Sequence, residues 1–123
     1  MADAGVWAVA VGFAAMGLLA LAAPARVLEP FGVAVGTADG RNEVRAVYGG
    51  FGLAVAGLLG VAAAGSGSTR EGILVAIGFA LAGMAAGRLV SALADRRLTA
   101  YPPATFLAIE VAAAAVLLAA AWT

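Results

Sequence analysis

Four ionisable side chains stand where hydrocarbon, not water, is the expected surrounding. Glu43 and Arg45 open one long apolar stretch, Arg88 lies near the end of another, and Glu110 sits deep in a third. An ionisable group inside an apolar span is costly and suggests a site by default. Glu110 is the most informative of the four. It lies in Phe106-Leu-Ala-Ile-Glu-Val-Ala-Ala-Ala, with no polar side chain within four positions. A side chain this short cannot snorkel to the membrane surface from that depth. It must therefore pair with an arginine or stay protonated. Arg45 and Arg88 are the available partners. Glu43 and Arg45 are two residues apart and do not face each other on a helix. The expected arrangement is Glu110 with one arginine and Glu43 with the other.

Carboxylates paired with arginines support general acid–base chemistry on a lipophilic substrate. A carboxylic acid kept neutral by apolar surroundings can protonate an alkene, epoxide or enol, while an arginine holds a developing anion. On this reading Glu110, Glu43, Arg45 and Arg88 form the catalytic set. Asn42, Tyr48, Ser91, Asp95 and Tyr101 are polar neighbours at similar levels, suited to substrate contact. The same charges would serve equally well as ion pairs that decide which helices meet.

Composition narrows the chemistry further. The chain has no Cys, no His and no Lys; all seven cations are arginine. That removes thiol redox chemistry, disulfides, Cys/His metal sites, His-assisted nucleophiles and Schiff bases. No metal and no cofactor is expected. The formal charge is zero, so no nucleic-acid partner is expected.

The elements that must position these residues are membrane-spanning helices. Of the 123 residues, 64% are apolar and 11% charged, against about half and about a quarter in a soluble domain. A small soluble core cannot hide that excess, so the lipid bilayer is the expected partner. Pro24, the Gly65-Ser66-Gly67-Ser68 run and the polar stretch before Pro102 divide the chain into four apolar segments, at about residues 5–23, 42–64, 69–93 and 102–122. Each is long enough to cross about 30 Å of hydrocarbon as a helix. Barrel strands are shorter and alternate. The expected fold is all-α: one domain, an antiparallel four-transmembrane-helix bundle.

Local signals predict Asp39-Gly40 as a turn with Asn42 as N-cap of the second helix, and a Ser68-x-x-Glu71 capping box for the third. Pro102 and Pro103 suit the first turn of the fourth. The first segment carries Asp3 and no cation at its start, so it reads as a retained helix, not a signal peptide. Arg45, Gly49, Gly52, Ala56 and Gly60 share one helical face. Gly83-x-x-x-Gly87, continued by Ser91, forms a second small-residue face. Both predict close helix contact, with Arg45 pointing inward.

Arg26, Arg41, Arg45, Arg88, Arg96 and Arg97 lie in or beside the first and third loops, and Arg70 alone lies at the other end. The excess of arginine predicts that these two loops are cytoplasmic and both termini outside, in a cell inner (plasma) membrane. Apolar residues in loop one, among them Val27, Leu28, Phe31, Val33 and Val35, predict a segment lying in the interface.

The motifs Asn42-Glu43-x-Arg45-Ala46-x-Tyr48-Gly49-Gly50, Gly87-Arg88-x-x-Ser91 with Asp95, and the lone Glu110 resemble those of the small bacterial membrane proteins grouped as domain of unknown function 4345. The resemblance implies a four-helix membrane protein whose shared polar residues are Asn42, Glu43, Arg45, Tyr48, Arg88, Ser91 and Glu110. One departure is visible. Where that family suggests Asp-Gly-x-Pro after the third helix, this chain has Asp95-Arg96-Arg97.

Three functions stay open from the residues. The first is a cofactor-independent isomerase, cyclase or epoxide-opening enzyme for a lipophilic small molecule. The second is a proton-coupled transporter or channel working as a homo-oligomer. The third is an accessory subunit of a membrane complex.

Overall fold

A computed structural model describes residues 2–123, the side chain of Ala2 excepted. No strand occurs among the described residues. Four helices are long and apolar enough to cross a membrane: α1 (Ala2–Ala22), α3 (Ala38–Ala64), α4 (Gly67–Asp95) and α5 (Ala100–Ala121). A short helix, α2 (Pro24–Leu28), follows α1. The fold class is that of an all-helical polytopic membrane protein. The chain divides into two compact units, one spanning Trp7–Val61 and the other Ala62–Thr123 with the chain start up to Val6.

In the Trp7–Val61 unit, α1 and α3 run antiparallel and approach through glycine. A methyl group added at Gly17 would lie 2.9 Å from the Gly49 carbonyl oxygen and 2.9 Å from Leu53 Cγ. One added at Gly49 would lie 2.8 Å from Leu21 Cδ2. Gly60 faces the Trp7 ring. The small-residue face of α3 therefore meets α1, and side-chain dispersion in lipid rewards this fit.

Helix α3 starts earlier than the sequence suggests. Its N-cap is Thr37, whose Oγ1 accepts from the Gly40 N–H at 3.0 Å. Asp39 and Gly40 thus lie inside the first turn, and Asn42 is not the cap. Threonine wins because its extended backbone and hydroxyl suit the cap position, while Asn42 is already helical. Eight residues beyond Thr37, Arg45–Gly50 form a π-helical stretch inside the span. Loop one folds into α2, a 3₁₀ turn at Glu29–Phe31 and a left-handed Gly32 (φ 75°).

In the other unit, α4 and α5 are antiparallel. Their shared core is apolar: Leu74, Ile77, Gly78, Leu81 and Ala85 on α4, with Ala114, Leu117 and Ala120 on α5. Gly78 admits Leu118, whose Cδ2 would sit 2.8 Å from an added methyl. The expected Gly83-x-x-x-Gly87 contact is not made. Methyl groups at Gly83 and Gly87 would meet nothing within 4 Å. Gly78 lies on the opposite side of α4 and takes the close contact instead. The Ser68–Glu71 capping box does not form either: the N-cap is Ser66, with no side-chain cap bond, and Ser68 already lies inside the helix.

Helix α4 ends at Asp95 in a left-handed residue, Arg96 (φ 49°, ψ 42°). The Arg96 and Arg97 N–H groups both donate to the Ala92 carbonyl. This is the position glycine usually fills; here arginine fills it. At the start of α5, Tyr101 is extended. The Thr105 hydroxyl donates to the Ala100 carbonyl at 2.8 Å. The regular helical path therefore begins at Pro102, where a missing N–H costs nothing.

Candidate functional site

Helices α4 and α5 bring Arg88 and Glu110 together. Arg88 Nε donates to both Glu110 carboxylate oxygens, at 3.0 Å to Oε1 and 2.8 Å to Oε2, and Arg88 Nη2 donates to Oε1 at 2.8 Å. One edge of the guanidinium thus faces the carboxylate in a fork, the strongest pairing these groups make. Glu110 is only 4% exposed. The Arg88 side chain is 25% exposed. Arg88 is therefore the more accessible of the two, with Glu110 behind it.

Phe106 completes the setting. The guanidinium carbon of Arg88 lies 5.6 Å from the Phe106 ring centroid, within cation–π range. Phe106 and Glu110 are four residues apart on α5, hence on one face. Tyr101 stands 6.4 Å from Phe106, centroid to centroid, and is 57% exposed. The sequence reading singled out Tyr101 and missed Phe106; its i, i+4 spacing to Glu110 was the available signal. Ser91, three residues from Arg88 on α4, is exposed, as is Asp95 at the helix end.

The remaining expected site residues belong to the Trp7–Val61 unit. Arg45 does not pair with a carboxylate. Its Nε donates to the Leu21 carbonyl at 3.1 Å. Leu21 lies in the last turn of α1, where carbonyls lack helical partners and a cation is favoured. Arg45 is thus a C-terminal cap for α1, and its side chain is exposed instead of turned inward. Glu43 is exposed and makes no ion pair among the described residues; Asn42 is exposed and Tyr48 half-buried within the π-helical stretch. The expected pairing of Glu43 with an arginine does not occur.

The far end of the α4–α5 unit holds more than the lone Arg70 that the arginine count places there. Arg70 Nη1 lies 2.9 Å from Asp3 Oδ1 and donates to the Ala62 carbonyl at 2.7 Å. Arg70 thereby caps α3 and holds the start of α1. An open concavity of about 580 Å³ lies beside it, lined by Ser66, Ser68 and Glu71 among others. Among the described residues, no group of three His, Cys, Asp or Glu side chains converges as a metal site would require.

Comparison with curated proteins and with solved structures finds no match. A family model does match, across residues 1–121, nearly the full length, and it is described as "Domain of unknown function (DUF4345)". The deep Arg–Glu pair thus stands in a chain that belongs to the DUF4345 family.

Proposed function

We propose that this protein is a cofactor-independent acid–base enzyme that isomerises a lipophilic molecule drawn from the bilayer. One observation carries the reading: a carboxylate 4% exposed, gripped by an arginine that a ligand can reach. Stability alone gives little reason to keep such a pair. Well-packed apolar side chains in its place are often as stable or more so. Function is the better reason for its presence.

The chemistry follows from the fork. Glu110 accepts hydrogen bonds at both oxygens, so it suits the role of base better than that of acid. A ketone oxygen seated on Arg88 draws the guanidinium partly off the carboxylate. Glu110 then takes a proton from the carbon next to the carbonyl. The C–H electron pair becomes a new C=C bond, the C=O π pair moves to the oxygen, and Arg88 holds the enolate. Return of the proton to a different carbon of a conjugated enolate shifts a double bond, with no net redox change. Ser91 and Tyr101 are the substrate contacts, and Arg45 keeps a capping role.

A transporter reading is less well supported. Between the Arg88 and Arg70 levels the buried α4–α5 surface is wholly apolar, from Ala85 to Leu74 and from Ala114 to Leu117. A proton path would need polar stepping stones there. The arginine excess at loops one and three supports placing them in the cytoplasm and both termini outside, in a plasma membrane.

The deciding experiment incubates host membrane lipid extract in D₂O with nanodisc-embedded protein. Mass spectrometry should find a lipid that gains carbon-bound deuterium with wild type and not with Arg88→Leu/Glu110→Leu. Absence of any protein-dependent exchange refutes the proposal.

A further inference from the structure

The Arg88–Glu110 pair lies well below the end of the helices that carry it. Arg88 is seven residues before Asp95, the last residue of α4, which at 1.5 Å per residue is about 10 Å. Glu110 is eight residues beyond Pro102, the start of the regular path of α5, or about 12 Å. Two helices running in opposite directions give the same depth. The end itself is marked by Asp95, Arg96, Arg97 and Thr99, all exposed. Three adjacent charged residues belong in the headgroup layer or in water. The pair therefore lies about 10 Å below the level of these charges.

An arginine at this depth would ordinarily bend back toward the surface. Arg88 does not. Three hydrogen bonds fix its guanidinium to Glu110, whose short side chain keeps it at the level of its own backbone. Phe106 packs against the same guanidinium. The polar atoms therefore stay deep. Toward the surface stand Tyr101 beside Phe106 and, on the Arg88 face of α4, the exposed Ser91 and then Asp95 at the helix end.

We infer that the ligand is recognised by an oxygen carried inside its hydrocarbon skeleton, not by its headgroup. This rests on the proposed enzymatic reading and names its substrate class: a lipophile with a ketone about 10 Å from any polar head. A fatty acid or phospholipid whose only polar atoms are in its head leaves them level with Arg96 and Arg97. It cannot bring them to Arg88 without drawing its charge into hydrocarbon, which desolvation strongly opposes.

The test uses three methyl keto-stearates, each ¹³C-labelled at a ketone placed near the ester, at mid-chain or near the tail. Each is added to nanodiscs holding the full chain, and its carbonyl resonance is followed by NMR. The mid-chain ketone should shift downfield most, as expected for a carbonyl hydrogen-bonded to guanidinium. The shift should vanish in Arg88→Leu/Glu110→Leu, whose helical content is checked in the same discs. A near-ester ketone that shifts as much or more overturns the depth inference and leaves the enzymatic reading standing. If no isomer shifts while deuterium exchange on extracted lipid persists, the internal-ketone class alone is overturned. If both are absent, both proposals fall.

Discussion

Replacing Glu110 by leucine tests whether the fork is energetically coupled. The wild-type pair has three hydrogen bonds of 2.8–3.0 Å and a carboxylate 4% exposed. Removing one partner of a buried pair leaves an uncompensated charge and costs about 3–5 kcal/mol; replacing both with apolar groups is often neutral. The two single losses should differ. In Glu110→Leu the long Arg88 side chain can swing toward the surface, so the cost falls near the lower end, about 3 kcal/mol. In Arg88→Leu the short carboxylate cannot escape and is left buried without its partner, so the cost falls near about 5 kcal/mol. The double variant Arg88→Leu/Glu110→Leu should lie within about 1 kcal/mol of wild type. The coupling energy would then be large, because the residues share one network. The assay is SDS titration in mixed micelles, following helical content for the four proteins. Singles that each cost under about 1 kcal/mol, or a double equal to the sum of the singles, would refute a buried, coupled pair.

Three groups of substitutions, at the glycines of the helices, a helix end and an ion pair, have defined outcomes. Gly17→Ala should cost about 2–3 kcal/mol, because its methyl meets the Gly49 carbonyl and the Leu53 backbone N and not a yielding side-chain tip. Gly83→Ala, with nothing within 4 Å, should be neutral or gain up to about 1 kcal/mol; equal effects in the same titration would contradict the helix packing described. Arg96→Gly should stabilise by about 1 kcal/mol by removing a left-handed non-glycine residue, read as a higher SDS midpoint. Arg70→Met should cost about 1.5–3 kcal/mol through the lost bond to Ala62. Asp3→Asn, at a 59% exposed partner, should cost under about 1 kcal/mol in that titration.

The spans were legible because hydrocarbon thickness demands long apolar runs, and Pro24, the Gly65–Ser68 run and the region before Pro102 interrupt them. The depth of Glu110 was legible for the same reason. Its partner was not. Arg45 and Arg88 were equal candidates on paper, and the choice turned on where α3 begins. Because Thr37 starts that helix, Arg45 falls beside the last turn of α1 and finds the Leu21 carbonyl. Small-residue spacing showed which residues share a face, never what the face meets. It pointed to real contact at Gly49 and Gly52, but not at Gly83 and Gly87. The tie between Arg70 and Asp3 was not legible, because a partner 67 positions away in the chain leaves no local pattern.

That last pair bears on how the chain is made. Asp3 enters the membrane with the first helix, and Arg70 is synthesised only when the third span begins. Until then the start of α1 has no fastening of this kind. A first helix threaded in the opposite sense would carry Asp3 to the other bilayer surface, a hydrocarbon thickness from Arg70. The contact at 2.9 Å therefore closes only on a correctly inserted chain. It joins two segments that are laid down two spans apart.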